Sequence, residues 1–253
     1  MASSKLFRPI VLLLLAFMSF SVNALAQEEL KSEGRDTAYV RVILGRVAKN
    51  ISAVEFKDSA TYYAVRNIVA NRYFELNDIY AERDTLKKKP ETKPTANAVC
   101  DSKLYRSHFA LTAKLSLYLN DAQIEQVKDG ITMGVVGVTY KATTDMIPSL
   151  TEEEKVQILA WLKEARELAL DAESSKKKHE VFGKYKGRIN NYLVKRGYDL
   201  KKEREEWYKR MDAAGIKYWS IILYHKNRRY NTHQCLPPIF LLTQLSQAQV
   251  ESS

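Results

Sequence analysis

The chain has 253 residues, 45% hydrophobic and 28% charged, with 40 Lys+Arg against 30 Asp+Glu and a net charge of +10. That balance excludes a disordered or low-complexity chain and calls for a buried core. Nine Gly, six Pro and two Cys exclude a collagen-like, Pro-rich or disulfide-framework protein, and no CxxC pair, nucleotide loop, nucleophile elbow or HExxH motif is present, so neither a cofactor nor a metal is expected.

The first segment carries Lys5 and Arg8, an apolar run from Ile10 to Phe20 broken only at Ser19, and Ala24-Leu25-Ala26 before Gln27. This is the pattern of a signal peptide over residues 1–26, cleaved after Ala26, and it predicts a periplasmic or secreted protein. The run is shorter than the roughly 20 residues a spanning helix needs, so no membrane insertion is expected once it is removed. Losing Lys5 and Arg8 leaves a net charge of +8. Cys100 and Cys235 then enter a compartment that permits disulfides, and the sequence leaves open whether they pair.

From Asp36 onward the apolar residues recur at helical spacing. Asp58 or Ser59 can cap a long helix with Tyr62, Val65, Val69, Tyr73, Leu76 and Tyr80 on one face, running to Lys87-Lys88-Lys89. Pro90 and Pro94 break it, and residues 89–98 read as an exposed loop. Asp101 is placed to cap the next helix, with Leu104, His108, Leu111 and Leu115 as its stripe and His108 as a hydrogen-bonded core histidine. Asn120 with Gln123 forms a capping-box variant, Leu119 and Ile124 a hydrophobic staple, and Gly130 can close that helix.

Val135 to Val138 would suit a strand, but no second strand is available to pair with it, so a helix is read from about Val138 to Met146. Pro148 ends it. Thr151-Glu152-Glu153-Glu154 is a capping box opening a helix whose buried stripe is Ile158, Trp161, Leu162, Ala165, Leu168 and Ala169. Glu153, Gln157, Glu164, Glu167 and Asp171 lie opposite, as a solvated face requires. Ser174 or Ser175 caps the next helix and Gly197 ends it. Asp199 opens a last helix, with Leu200, Arg204, Trp207, Met211 and Ala214 on one side, closed by Gly215. The sum is an all-α, bundle-like single domain of about seven helices over residues 27–217.

Charge is concentrated near the end of this domain. Thirteen Lys+Arg and five Asp+Glu fall between Ser175 and Arg210, so a partner drawn by positive charge would be met there. In that segment Phe182, Tyr185, Ile189 and Tyr192 form an inward face, while Lys177, Lys184, Arg188, Asn191 and Lys195 share another. Gly183 and Gly187 each cost about 1 kcal/mol relative to Ala inside a helix. Either a neighbouring helix or a ligand approaching the backbone would explain them. The candidate ligand-binding residues are His179, Lys184, Tyr185, Lys186, Arg188, Asn190, Asn191 and Tyr192, which offer cationic donors, amides, phenols and one titratable imidazole. The competing reading makes the tyrosines core, the basic stripe a solvated face and the glycines helix contacts.

The stretches VKDGITMGVVGVTYKATTDMIPSLTEEEK (127–155), ILAWLKEARELALDAESS (158–175) and KHEVFGKYKGRINNYLVKRGYDLKKEREEW (178–207) resemble a secreted domain-of-unknown-function family, number 3826, known from Bacteroidota. The resemblance covers about Tyr39 to Lys217, and FGKYKGRINNYL is its most specific block. It implies an exported bacterial protein, often encoded beside polysaccharide-degrading enzymes, and it carries no catalytic assignment. Gly137 stands where proline is expected in relatives. Residues 218–253 form an atypical tail holding His225, His233 and Cys235, a weak metal set.

The expectation is an exported non-catalytic binding or accessory protein that engages an acidic polysaccharide or oligosaccharide through the basic helix. Two alternatives use the same surface. In a uronate lyase, Arg188 and Asn191 would neutralise the substrate carboxylate while Tyr185, Tyr192 or His179 moves the proton. In a docking module, the partner would be a protein. Export disfavours nucleic acid.

Overall fold

Residues 28–215 are described by the structure, a computed structural model. Residues 1–26, read as a signal peptide, and the tail with His225, His233 and Cys235 lie outside the described residues. Among those described, all regular structure is helical: α1 (Thr37–Asn50), α2 (Ser59–Lys87), α3 (Ala96–Ser107), α4 (Ala110–Leu115), α5 (Asp121–Ile131), α6 (Val135–Met146), α7 (Glu152–Leu170), α8 (Ser175–Lys195) and α9 (Leu200–Ala213). None of these helices is long and apolar enough to cross a membrane.

Local chemistry sets most of the starts. The carboxylates of Asp36 and Asp58 each accept from a backbone N–H three residues on, at 2.7 Å in both cases. Asn120 and Gln123 close a reciprocal box at 2.9 and 3.1 Å, and Thr151 and Glu154 close another at 3.3 and 2.9 Å. Ser174 and Asp199 cap α8 and α9. Each such cap is worth about 1 kcal/mol and fixes where its helix begins.

Three local readings need correction. Asp101 lies inside α3, which begins at Ala96 without a side-chain cap on Thr95, and the expected stripe divides at His108-Phe109 into α3 and α4. Val135 and Val136 are buried within the first turn of α6 rather than in a strand-like lead-in. Gly130 does not end α5; a Cβ there would stand 1.8 Å from the Asn50 carbonyl oxygen, so glycine is what lets α5 touch the end of α1.

The helices bury two cores. The first holds Ile43, Val47, Val65, Val69, Phe74, Leu115 and Val127 from α1, α2, α4 and α5. The second holds Val136, Ile147, Ile158, Leu162, Phe182, Ile189 and Leu193, gathered by α6, α7 and α8, with α9 laid against α6 and α8. Between the two cores Met133 and Gly134 both take φ of 63°, a left-handed pair that turns the chain. The methionine costs roughly 1–2 kcal/mol in that conformation.

The halves are joined by buried ions. Arg72 of α2 is 6% exposed and donates to Asp171 at 2.5 Å, to Glu75 at 2.7 Å and to Ser107 at 2.8 Å. His108 Nδ1 sits 2.6 Å from the other Asp171 oxygen, and the Tyr80 hydroxyl donates to the Asp171 carbonyl at 2.6 Å. His108 is thus the hydrogen-bonded histidine the stripe predicted, but Asp171 is not on a solvated face. A second tie runs from Arg166, 2% exposed, to Glu125 at 2.5 Å and Asp129 at 2.8 Å, linking α7 to α5. Leu168, read as core, is half-exposed instead. Lys178 is also buried and donates to the Ile131 carbonyl at 3.3 Å. Desolvation, with Arg46 nearby, pushes its ammonium down to about 8 against an opposing pull from Asp171.

Two outcomes follow from these ions. Asp171→Ala leaves the buried Arg72 without its closest carboxylate and is expected to cost about 3–5 kcal/mol in urea unfolding; a loss under about 1 kcal/mol would show that the two halves do not depend on it. Burial raises the Glu154 carboxyl, but the Thr151 N–H, the Tyr198 hydroxyl and Arg196 outweigh it and hold the group down at about 2, from an ordinary 4.5. Because the folded value is the lower one, this stabilisation is complete above about pH 4.5 and is lost as pH falls toward 2. Thermal melts of wild type and Glu154→Gln should therefore differ most near neutrality and converge in acid.

Candidate functional site

An open groove of about 640 Å³ runs along α8 where it lies against α7, lined by Trp161, Lys184, Gly187, Arg188, Asn191, Tyr192 and Lys195. The α8 residues fall at i, i+3, i+4, i+7, i+8 and i+11, a single helical face. Their position is fixed from behind, because Phe182, Ile189 and Leu193 are at most 2% exposed in the second core. Trp161 stands on the neighbouring helix beside Leu162, which is fully buried.

Aromatic rings and one guanidinium organise the surface. Trp161 and Tyr192 meet edge to face, centroids 5.2 Å apart at 88°. The Arg188 guanidinium carbon lies 5.4 Å from the Trp161 ring and 5.4 Å from the Tyr185 ring, so the cation is held between two π faces. Arg188 also donates to Glu164 at 3.3 Å, with both side chains about half exposed. Burial and the Glu164 carboxylate raise the Tyr185 phenol, which keeps it protonated. At the far end Arg196 covers Tyr192 at 5.9 Å and donates to Glu154.

The positive charge of the segment is not all available. Lys177 pairs with Glu180, Lys209 with Glu206, and Arg196 with Glu154, while Lys178 is buried. Lys184 and Lys195 reach the groove on either side of Arg188 without an ion pair among the described residues. The floor is unusual as well. A Cβ built on Gly183 or Gly187 meets nothing within 4 Å, which removes helix packing as the reason for either glycine. Gly187 leaves helix backbone bare in the groove.

Of the residues the sequence singled out, Lys184, Arg188, Asn191 and Tyr192 come together here, and Tyr185 supports Arg188 from the side. Lys186 and Asn190 are exposed on α8 away from the lining, and His179 is half-buried and also outside it. Trp161 and Glu164 are the residues that sequence reasoning missed: periodicity put the first in the core and the second on a bland acidic face. Of the residues placed on the solvated face of α7, Glu164 pairs with Arg188 and Glu167 with Lys128, while Asp171 belongs to the buried tie. No group of three or more His, Cys, Asp or Glu able to hold a metal is present among the described residues.

Fold and site together define an all-α protein with a cationic, aromatic-lined surface groove. Residues 40–213 match the family model described as a protein of unknown function, DUF3826, and the chain belongs to that family. No curated protein matches it.

Since a Cβ at Gly187 has open space, Gly187→Ala is expected to raise stability by about 0.5–1 kcal/mol through helix propensity alone. Calorimetric melting checks this, and a lowered melting temperature would mean that packing does require the glycine.

Proposed function

We propose that this is an exported, non-catalytic binding or accessory protein of a polysaccharide-utilising system, which engages acidic glycan chains through the groove on α8. The observation that carries the reading is the combination of an edge-to-face aromatic pair, Trp161 and Tyr192, with Lys184, Arg188 and Lys195 over bare helix backbone. Sugar rings rest their apolar faces on aromatic side chains, and Arg offers a carboxylate two parallel donors. Asn191 adds an amide donor and acceptor for hydroxyl groups. From Lys184 to Lys195 the helix rises about 16 Å, which suits a chain of sugars better than a single one.

A uronate lyase on the same surface is supported less well. A lyase needs a base within reach of the sugar, and of the three proton carriers considered for it, His179 and Tyr185 are not in the groove lining. Tyr185 is in addition held protonated beside Glu164.

The test mixes the protein with a panel of acidic polysaccharides and follows electrophoretic retardation together with ultraviolet absorbance of unsaturated uronates. Retardation without absorbance is expected. Rising absorbance would make the protein a lyase, and silence in both would point to a protein partner. Arg188→Ala should weaken binding by about 0.5–1 kcal/mol, roughly two- to fivefold, with unchanged helical circular dichroism; undiminished binding would remove the groove as the site.

A further inference from the structure

Arg188 is the one groove cation whose ion pair bridges α8 and α7, and its partner shows what the site is built to receive. Glu164 reaches from α7 to the guanidinium at 3.3 Å, and its carboxylate also helps raise the Tyr185 phenol. The pair is weakly held. Both side chains are about half exposed, 53% and 52%, and a surface ion pair of this kind is screened by water and salt. The Trp161 and Tyr185 ring centroids each lie 5.4 Å from the guanidinium carbon, so the cation keeps two aromatic contacts when the carboxylate leaves. The arrangement is therefore a ring-supported cation with an exchangeable carboxylate on it. Arg presents five N–H donors, and Glu164 engages only one nitrogen, Nη1. An incoming carboxylate that took two donors side by side would make the better bond.

We infer that Glu164 is an internal stand-in for the ligand's carboxylate, occupying Arg188 until a uronate of the glycan displaces it, and so sets the threshold at which the groove accepts an anionic chain. This rests on the glycan-binding reading of the groove and names a residue that tunes it. Displacement has two consequences. Each binding event must break the Arg188–Glu164 pair, and the released Glu164 stays beside the bound anion as a like charge. A neutral sugar chain gains nothing on Arg188 to compensate for breaking the pair, so Glu164 acts against neutral ligands there.

The experiment titrates the full chain, by calorimetry, with oligogalacturonate and hyaluronan oligosaccharides and with neutral xylo-oligosaccharide. Wild type, Glu164→Gln, Arg188→Ala and the double variant are compared, each checked for native helical circular dichroism. Glu164 is exposed, and Gln keeps its shape, so folding should be unaffected. Glu164→Gln is expected to bind the acidic oligosaccharides roughly fivefold more tightly than wild type, the gain of removing one surface ion-pair competitor. In the Arg188→Ala background the same substitution should gain clearly less, because no cation is left to liberate and only the like-charge repulsion is relieved. If wild type binds the acidic chains and Glu164→Gln binds no more tightly, the stand-in role is overturned and the groove reading survives. An equal gain with and without Arg188 would also overturn it, since that is the signature of net charge alone. Failure of all four proteins to bind any acidic oligosaccharide would overturn the groove reading and this inference with it.

Discussion

Asp171 is the point on which the two halves of the molecule agree. It stands one residue beyond α7, where its carboxylate takes Arg72 on one oxygen and His108 on the other and its carbonyl takes the Tyr80 hydroxyl. Those partners come from α2 and the α3–α4 corner, so one residue pins the end of α7 to the first core. Arg166 pins it again, five residues earlier, to α5. With α7 fixed in both translation and rotation, the position of Trp161 and Glu164 follows, and so does the start of α8 four residues later at Ser175. The groove is a consequence of that placement. Ionic ties of this kind are costly. Arg72 Nε and Arg166 Nε are both buried without a hydrogen-bond partner, and an apolar contact of equal volume would be no less stable. What the ions supply is a single register, because a guanidinium fork satisfies its carboxylates in one orientation and in no neighbouring one.

How much of this the sequence reveals depends on the range of the interaction. The starts at Asp36, Asp58, Asn120, Thr151, Ser174 and Asp199 are legible because a cap needs only a side chain and an N–H two or three residues away. The core stripe of α7 is legible for the same reason, as Ile158, Leu162, Ala165 and Ala169 are all fully buried. Asp171, Arg166 and Lys178 are not. Each is a charged residue whose burial depends on a partner 99, 41 or 47 positions away, and periodicity assigns charges to solvent by default. Asp101 fails in the opposite sense: it has the chemistry of a cap, but the chain is already helical from Ala96 once Pro90 and Pro94 are passed. Gly130 is ambiguous in sequence because a closing glycine and a close-approach glycine look identical until the Asn50 carbonyl is in place.

The candidate site divides along the same line. Its α8 half, Lys184, Arg188, Asn191 and Tyr192, shares one helical face and is visible as a spacing. Its α7 half is visible only after the two helices are packed, since nothing in the spacing of Trp161 and Glu164 says which part of α8 they will meet. The glycines show how the two sources of information combine. Their cost is readable from sequence, whereas the emptiness around them is readable only from the structure, and together these exclude packing as the cause. The helix tolerates the cost because Phe182, Ile189 and Leu193 hold it from the other side.

The shape of the groove limits what kind of recognition it can perform. It is open to water, so a single ion pair at Arg188 contributes little, for the same reason that Glu164 is held there only weakly. Useful affinity on such a surface has to be summed over several contacts that are each modest, and Lys184, Arg188 and Lys195 are spread along the helix rather than converging on one point. Spread cations beside an edge-to-face aromatic pair favour a ligand that repeats its own charge along an extended chain, where the first contact raises the effective concentration for the next. A small anion would find only one of these cations at a time and would compete with Glu164 on equal terms. On the proposed reading, the weakness of each contact is therefore what makes the groove selective for a polymer: a chain can displace Glu164 because its neighbouring residues are already engaged on either side.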